Sequence, residues 1–207
     1  MILSFWKLPA AVVHGIFRKM ATPAPLTPMK LMTLEEASLL DPDAFPGEVI
    51  HGKWAPVTKG TWRHGEIVLA IGILLRLYTR KHGGFSVSVA DPGVKLARNP
   101  DLLRGPDVAI VRAERVPTGK GVEGWLEGAP DVAVEVIGDS QSIAELMKKA
   151  LEYINGGAKM VWLVDAEPQS VVLITPPDHV RILNADDVLD GGDVLPGFSC
   201  KVAEMFT

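Results

Sequence analysis

Residues 130–140, PDVAVEVIGDS, alternate with a strand's period of two. Val132, Val134 and Val136 fall on one face, and Asp131, Ala133, Glu135 and Ile137 on the other. Residues 105–111, GPDVAIV, carry the same Pro-Asp-Val-Ala phrase into a second apolar strand. A helical period runs from Trp62 to about Lys81, where Ile67, Ile71, Leu74, Leu75 and Tyr78 recur and Gly83-Gly84 supplies the stop. A second helix is predicted over roughly residues 141–155, ahead of Gly156-Gly157. Its expected buried stripe is Ile143, Leu146, Met147, Ala150, Leu151 and Ile154.

Shorter signals fill the rest. Thr33 and Glu36 have capping-box spacing and open a short helix. EVIHGKWAPV, residues 48–57, reads as a hairpin around His51-Gly52, and FSVSVADPGVKLA as two strands joined at Asp91-Pro92-Gly93. Residues 160–167 and 170–176 read as strands of the sheet that holds the two Pro-Asp strands, and the turn-rich tail ends in a short helix. Early hairpins followed by a strand–helix–strand unit indicate an α/β or α+β sandwich around a mixed sheet. No solenoid period is present.

Composition narrows the function classes. With 47% hydrophobic and 22% charged residues in 207, the chain has enough apolar material for a sizeable core. A formal net charge of −4 means that nucleic-acid binding would need a local basic patch. A single cysteine, Cys200, excludes an intramolecular disulfide framework and a Cys-rich zinc site, and the five histidines show no close ligand pairing. A reducing, cytoplasmic setting is the expectation. Lys7, Pro9, His14 and Arg18 break the apolar first twenty residues well short of a membrane span, and ATPAPLTP at 21–28 reads as a Pro-rich linker. Residues 1–30 are therefore read as an N-terminal extension, with the natural start at Met20 or Met29, and 31–207 as the domain.

Glu135 poses the chemical question. A carboxylate inside an apolar strand must be protonated, paired or metal-bound, because isolated burial of its charge is very costly. If the two Pro-Asp strands are neighbours, Asp107 and Glu135 converge at one rim of the sheet. Paired carboxylates on rigid elements suit Mg²⁺. A salt bridge from Glu135 to Lys95 or Arg104 explains the residue equally well, and the residues leave both readings open. Asp131 is read as turn chemistry, bonding nearby backbone amides.

The order of these segments resembles the Uma2 family, also called the domain of unknown function 820, from about Met32 to Phe206. GEVIHGKW resembles the family's early Glu-x-Ile-x-Gly segment, and His64 lies where its first long helix begins. GPDVAIV and APDVAVEVIGDS resemble its two Pro-Asp strands. KALEYINGGAKMVWLVDAE resembles its Lys-x-x-x-Tyr helix and following strand, and VLPGFSCKVAEMF its ending. The resemblance implies a PD-(D/E)XK, restriction-endonuclease-like fold: a mixed β-sheet flanked by helices. It implies a Mg²⁺-dependent endonuclease acting on DNA, with Mn²⁺ as a substitute and a 5′-phosphate product. Asp107 and Glu135 would be the metal-binding acids, the Val136 carbonyl would complete the site, and Glu48 would be an additional acid.

Two departures stand out. Ile137 occupies the place of the Glu-x-Lys lysine, so the cation must come from elsewhere. The Lys-x-x-x-Tyr resemblance implies Lys149 as the candidate. The helical wheel puts Lys148 and Lys149 on opposite flanks of the stripe, and Tyr153 at i+4 shares the flank of Lys149, whereas Lys148 reads as a solvated edge. Gly138-Asp139 stands where the family shows Ser-Pro, which makes Asp139 a candidate extra ligand or Ser140 a helix cap. Trp62, Arg63, His64, Arg76, Arg80 and Lys81 are the candidate phosphate contacts. The rivals are a catalytically inactive module that binds nucleic acid or a protein partner, and a phosphoesterase acting on RNA or a nucleotide. A homodimer is the expectation if both strands are cut.

Overall fold

The two Pro-Asp strands lie side by side. In the computed structural model, which describes residues 30–41, 44, 46–138, 141–177 and 179–207, β6 (Val108–Arg112) pairs antiparallel with β8 (Val132–Val136). Their alternation buries Val108, Ile110, Val132, Val134 and Val136 on one face and Ala109, Val111, Ala133 and Glu135 on the other, because both strands lie inside a six-stranded sheet. β3 (Phe85–Val89) borders β6, and β9 (Met160–Asp165) lies parallel to β8. β10 (Ser170–Thr175) and β11 (His179–Leu183) extend the sheet by antiparallel pairing. The β8–β9 crossover carries α3 (Ile143–Asn155), since parallel neighbours need a long connection.

Each face of this sheet is covered. Ile67, Ile71, Leu75 and Tyr78 of α2 (Trp62–His82) pack on Val108, Ile110, Val132, Val134 and Val136, with Trp162 and the C-terminal tail completing that layer. On the other face, Leu146, Ala150 and Tyr153 of α3 meet Ala133, Val161, Leu163 and Ile174. The expected mixed α/β architecture is present, but with two mixed sheets instead of one. The second, five-stranded sheet has the order β2 (Lys53–Pro56), β1 (Gly47–Ile50), β5 (Leu102–Arg104), β4 (Val94–Ala97), β7 (Leu126–Glu127). β12 (Val188–Asp190) and β13 (Ser199–Lys201) form a separate ribbon. Among the described residues, no helix is long and apolar enough to cross a membrane.

The short helix predicted at Thr33 is α1 (Leu34–Ala37), with both halves of the capping box formed. His51 and Gly52, both at positive φ, make the predicted β1–β2 hairpin turn.

Two expectations need correction and a third becomes more specific. The strands on either side of Asp91-Pro92-Gly93 do not pair, because the turn passes the chain from one sheet to the other, with Ala90 and Asp91 in the left-handed region. The buried stripe of α3 is rotated: Tyr153 is fully buried, while Ile143 and Leu151 are 57% and 55% exposed. The closing helix, Val202–Phe206, is a 3-10 helix. Residues 1–29, Asp139 and Ser140 lie outside the described residues, and with them the roles considered for that extension and those two side chains. The cap of α3 is Ser142, in a capping box with Glu145.

Candidate active site

The β6–β8 register sets Val108 against Val134 and Ala109 against Ala133, so the next pair outward is Asp107 against Glu135. Facing residues of an antiparallel pair project to the same side. Asp107 Oδ2 accepts the Val136 amide at 2.6 Å, and its Oδ1 lies 3.1 Å from His64 Nε2. That hydrogen bond ties the carboxylate to the strand carrying Glu135. The Asp107 hydrogen bond raises the His64 imidazole pKa against the opposing effect of partial burial.

Glu135 is 2% exposed, and both its oxygens are met from α3. Tyr153 Oη donates to Oε1 at 2.6 Å, and Lys149 Nζ donates to Oε2 at 2.9 Å. The two donors stand one helical turn apart, so a single face of α3 serves the carboxylate. Burial, with the Asp107 charge adding to it, pushes the Glu135 carboxyl up to about 7. Lys149 is held above the ordinary lysine range by the surrounding carboxylates, despite its burial. Lys149 thus keeps its ammonium beside a carboxyl that burial makes reluctant to ionise.

The salt-bridge partners considered for Glu135 are engaged elsewhere. Lys95 Nζ reaches Glu127 at 2.6 Å and the Val122 carbonyl at 2.9 Å. Arg104 Nη1 reaches Glu48 at 2.6 Å, and its Nε reaches Glu152 at 2.7 Å. Glu48, from the second sheet, also accepts the Gly105 amide at 3.0 Å and lies 3.2 Å from Lys149 Nζ. Burial raises its pKa, but the charges of Lys149 and Arg104 more than offset this and hold it low. Lys148 is exposed. Asp131 is tied to the Arg112 amide at 2.8 Å, as turn chemistry implies, and also to Lys159 at 2.7 Å.

The structure thus brings Asp107, Glu135, Val136, Lys149 and Glu48 together at a cleft of about 1260 Å³. It adds Asp91, which the sequence presents only as a turn residue. Burial and the Asp107 charge raise the Asp91 carboxyl. Of the residues considered for phosphate contacts, only His64 lines the cleft; Lys59, Lys120 and Lys148 are the exposed cations around it. Arg63 instead donates to the Phe206 carbonyl at 2.7 Å.

Among the described residues, no three His, Cys, Asp or Glu side chains group as a ready metal cage. Mg²⁺ typically needs less, taking one or two carboxylates with waters and substrate oxygens. Each oxygen of Asp107 and Glu135 has one of the hydrogen bonds given above, about half of what an ionised carboxylate accepts. This spare acceptor capacity fits a hard divalent cation at Asp107 and Glu135.

A protein-family model described as "Uma2: Putative restriction endonuclease" matches residues 34–203. Among solved structures, the chain is similar to one described as a putative nuclease belonging to DUF820 from Anabaena variabilis ATCC 29413. The TM-score is 0.74 at 18% identity, over 84% of this chain and 97% of that one. At that identity the likeness is one of fold. No curated protein matches the chain.

Proposed function

The chain belongs to the Uma2 family, and on that premise we propose that it is a metal-dependent endonuclease hydrolysing phosphodiester bonds in DNA. The observation that carries this reading is the placement of Asp107 opposite Glu135, with the Lys149 ammonium 2.9 Å from Glu135. Asp107, Glu135 and the Val136 carbonyl would hold Mg²⁺ or Mn²⁺. When bound, the ion supplies Lewis-acid neutralisation of phosphate charge and a lower pKa for water. Lys149 orients the attacking water or steadies the scissile phosphate, replacing the lysine that position 137 lacks. Glu48 steadies Lys149, and Tyr153 fixes the Glu135 rotamer. Water attacks phosphorus in line with the departing 3′-oxygen, while Lys59, Lys120 and Lys148 are placed to contact flanking phosphates.

Supercoiled plasmid incubated with the purified protein in Mg²⁺, Mn²⁺ or EDTA tests the proposal. Nicking that requires metal, with a metal-dependent rise in Tm, is the expected result. Intact plasmid together with an unmoved Tm would favour the second reading, a module that binds without cutting. That reading draws on the internal hydrogen bonds already engaging all four oxygens of Asp107 and Glu135.

A pH series gives an independent check. Below about 7 the Glu135 carboxyl holds its proton and carries no charge to attract a cation. The Mn²⁺-induced rise in Tm and the cleavage rate should therefore both grow between about pH 6 and 8. In metal-free protein the sign reverses. A carboxyl raised from 4.5 to about 7 contributes its full stability below pH 4.5 and loses it as pH rises through about 7. A metal effect independent of pH across this window would contradict the role of Glu135.

A further inference from the structure

Helix α2 is apolar on two sides. Its inner side buries Ile67, Ile71, Leu75 and Tyr78 against the sheet. On the outer side, Leu69, Ile73 and Leu77 are 62%, 50% and 60% exposed, and Trp62, on the same stripe, is 86% exposed. At 3.6 residues per turn, positions 62, 69, 73 and 77 fall within one stripe opposite the buried one. A helix with a single covered face normally turns charged and polar residues to solvent, and one that is apolar all round is normally covered all round.

Between Glu66 and Arg80 the stripe is also symmetric about Ile73. Leu69 and Leu77 lie four positions either side of Ile73, and Glu66 and Arg80 lie seven positions either side. Antiparallel apposition of two copies around a two-fold axis at Ile73 sets Leu69 against Leu77 of the other copy. The same apposition sets Glu66 against Arg80, twice. An isologous interface requires this self-complementarity. Among the described residues, the contacts of Glu66 are exposed, to Trp62 Nε1 at 3.1 Å and Arg63 Nη1 at 3.4 Å, so it can turn toward a second copy at little cost. His64, nine residues and two and a half turns from Ile73, projects from the other side of the helix, which leaves the cleft open.

We infer that this chain forms a two-fold homodimer through the outer face of α2, with Ile73 on the axis and Glu66–Arg80 pairs at both ends. Nothing in this inference depends on the proposed nuclease activity, and its test needs no substrate.

Sedimentation of the full chain should show a dimer. Ile73→Glu, which would set two like charges at the axis, should raise the dissociation constant at least about tenfold without lowering the Tm of the monomer. Glu66→Arg and Arg80→Glu should each weaken the dimer. An equimolar mixture of the two variants should restore it, because the arginine introduced in one copy then faces the glutamate introduced in the other, and the unaltered Glu66 and Arg80 pair at the opposite end. Ile73→Cys should cross-link to its own copy on oxidation, while the buried Cys200 does not. A wild type that stays monomeric at high concentration overturns the inference, as does a dimer indifferent to Ile73→Glu. A monomer whose Tm falls with Ile73→Glu also overturns it, and would indicate cover by residues 1–29 of the same chain.

Discussion

Asp107→Ala and Glu135→Ala, purified alongside the wild type and assayed in Mn²⁺, should each lower plasmid cleavage by at least about 10²–10³-fold, the usual cost of losing one preorganised electrostatic group. The two losses should not multiply in the double variant, since a site that has lost one of two carboxylate ligands has little left for the other to do. Asp107→Asn separates chemistry from folding. It keeps an oxygen to accept the Val136 amide, a 2.6 Å contact in the wild type, while it removes the charge and turns an NH2 group toward His64 Nε2. Its Tm should stay near the wild-type value while its cleavage falls with that of Asp107→Ala. Equal residual cleavage by wild type and all variants would reveal a contaminating nuclease and end the assignment.

Arg104→Met should be the most destabilising single change at the site. Arg104 is 7% exposed, and its guanidinium binds Glu48 from one sheet and Glu152 from α3. Removing it leaves two buried carboxylates without their shared cation, a situation that typically costs about 3–5 kcal/mol. For a chain of this size that corresponds to a fall in Tm of roughly 6–20 °C. Lysine should recover part of the loss, because it restores the charge but not the planar fork that reaches two carboxylates at once. Adding Glu48→Gln to Arg104→Met should also recover part, since it removes one of the orphaned charges. A loss below about 1 kcal/mol would mean that water already screens this network and that its apparent burial is misleading.

These two results bear on different links between sequence and function. The Asp107–Glu135 pair was legible in advance, because each Pro-Asp-Val-Ala phrase opens a period-two apolar run and neighbouring runs of that kind align their polar interruptions. Arg104 and Glu152 were not legible as a pair. They lie on different elements, 48 positions apart, and each alone reads as an ordinary charged residue. Asp91 escaped for a related reason. Asp-Pro-Gly is sufficient as turn chemistry, and only the passage of the chain between two sheets brings that carboxylate near Asp107.

The rotation of α3 is the clearest physical lesson. Hydropathy placed Ile143 and Leu151 on the buried stripe and left Tyr153 at its edge. The buried carboxylate of Glu135 requires donors, and the turn of the helix that supplies Tyr153 Oη and Lys149 Nζ together exposes Ile143 and Leu151. Satisfying one buried carboxyl group outweighs the burial of two peripheral aliphatic side chains, each worth only about 1.5–3 kcal/mol when fully buried.

By itself the sequence determined which segments are strands and helices wherever one period dominates, and it marked Glu135 as a residue that must find a partner. Those are local consequences of alternation and desolvation, written within a few residues of one another. Only the tertiary structure decided which groups answer that carboxylate, that a second sheet brings Glu48 and the turn between the sheets brings Asp91 to the same cleft, and that α2 carries a second apolar face away from the sheet. These depend on how separate elements pack, and contact energies between distant positions leave no periodic trace along a single chain.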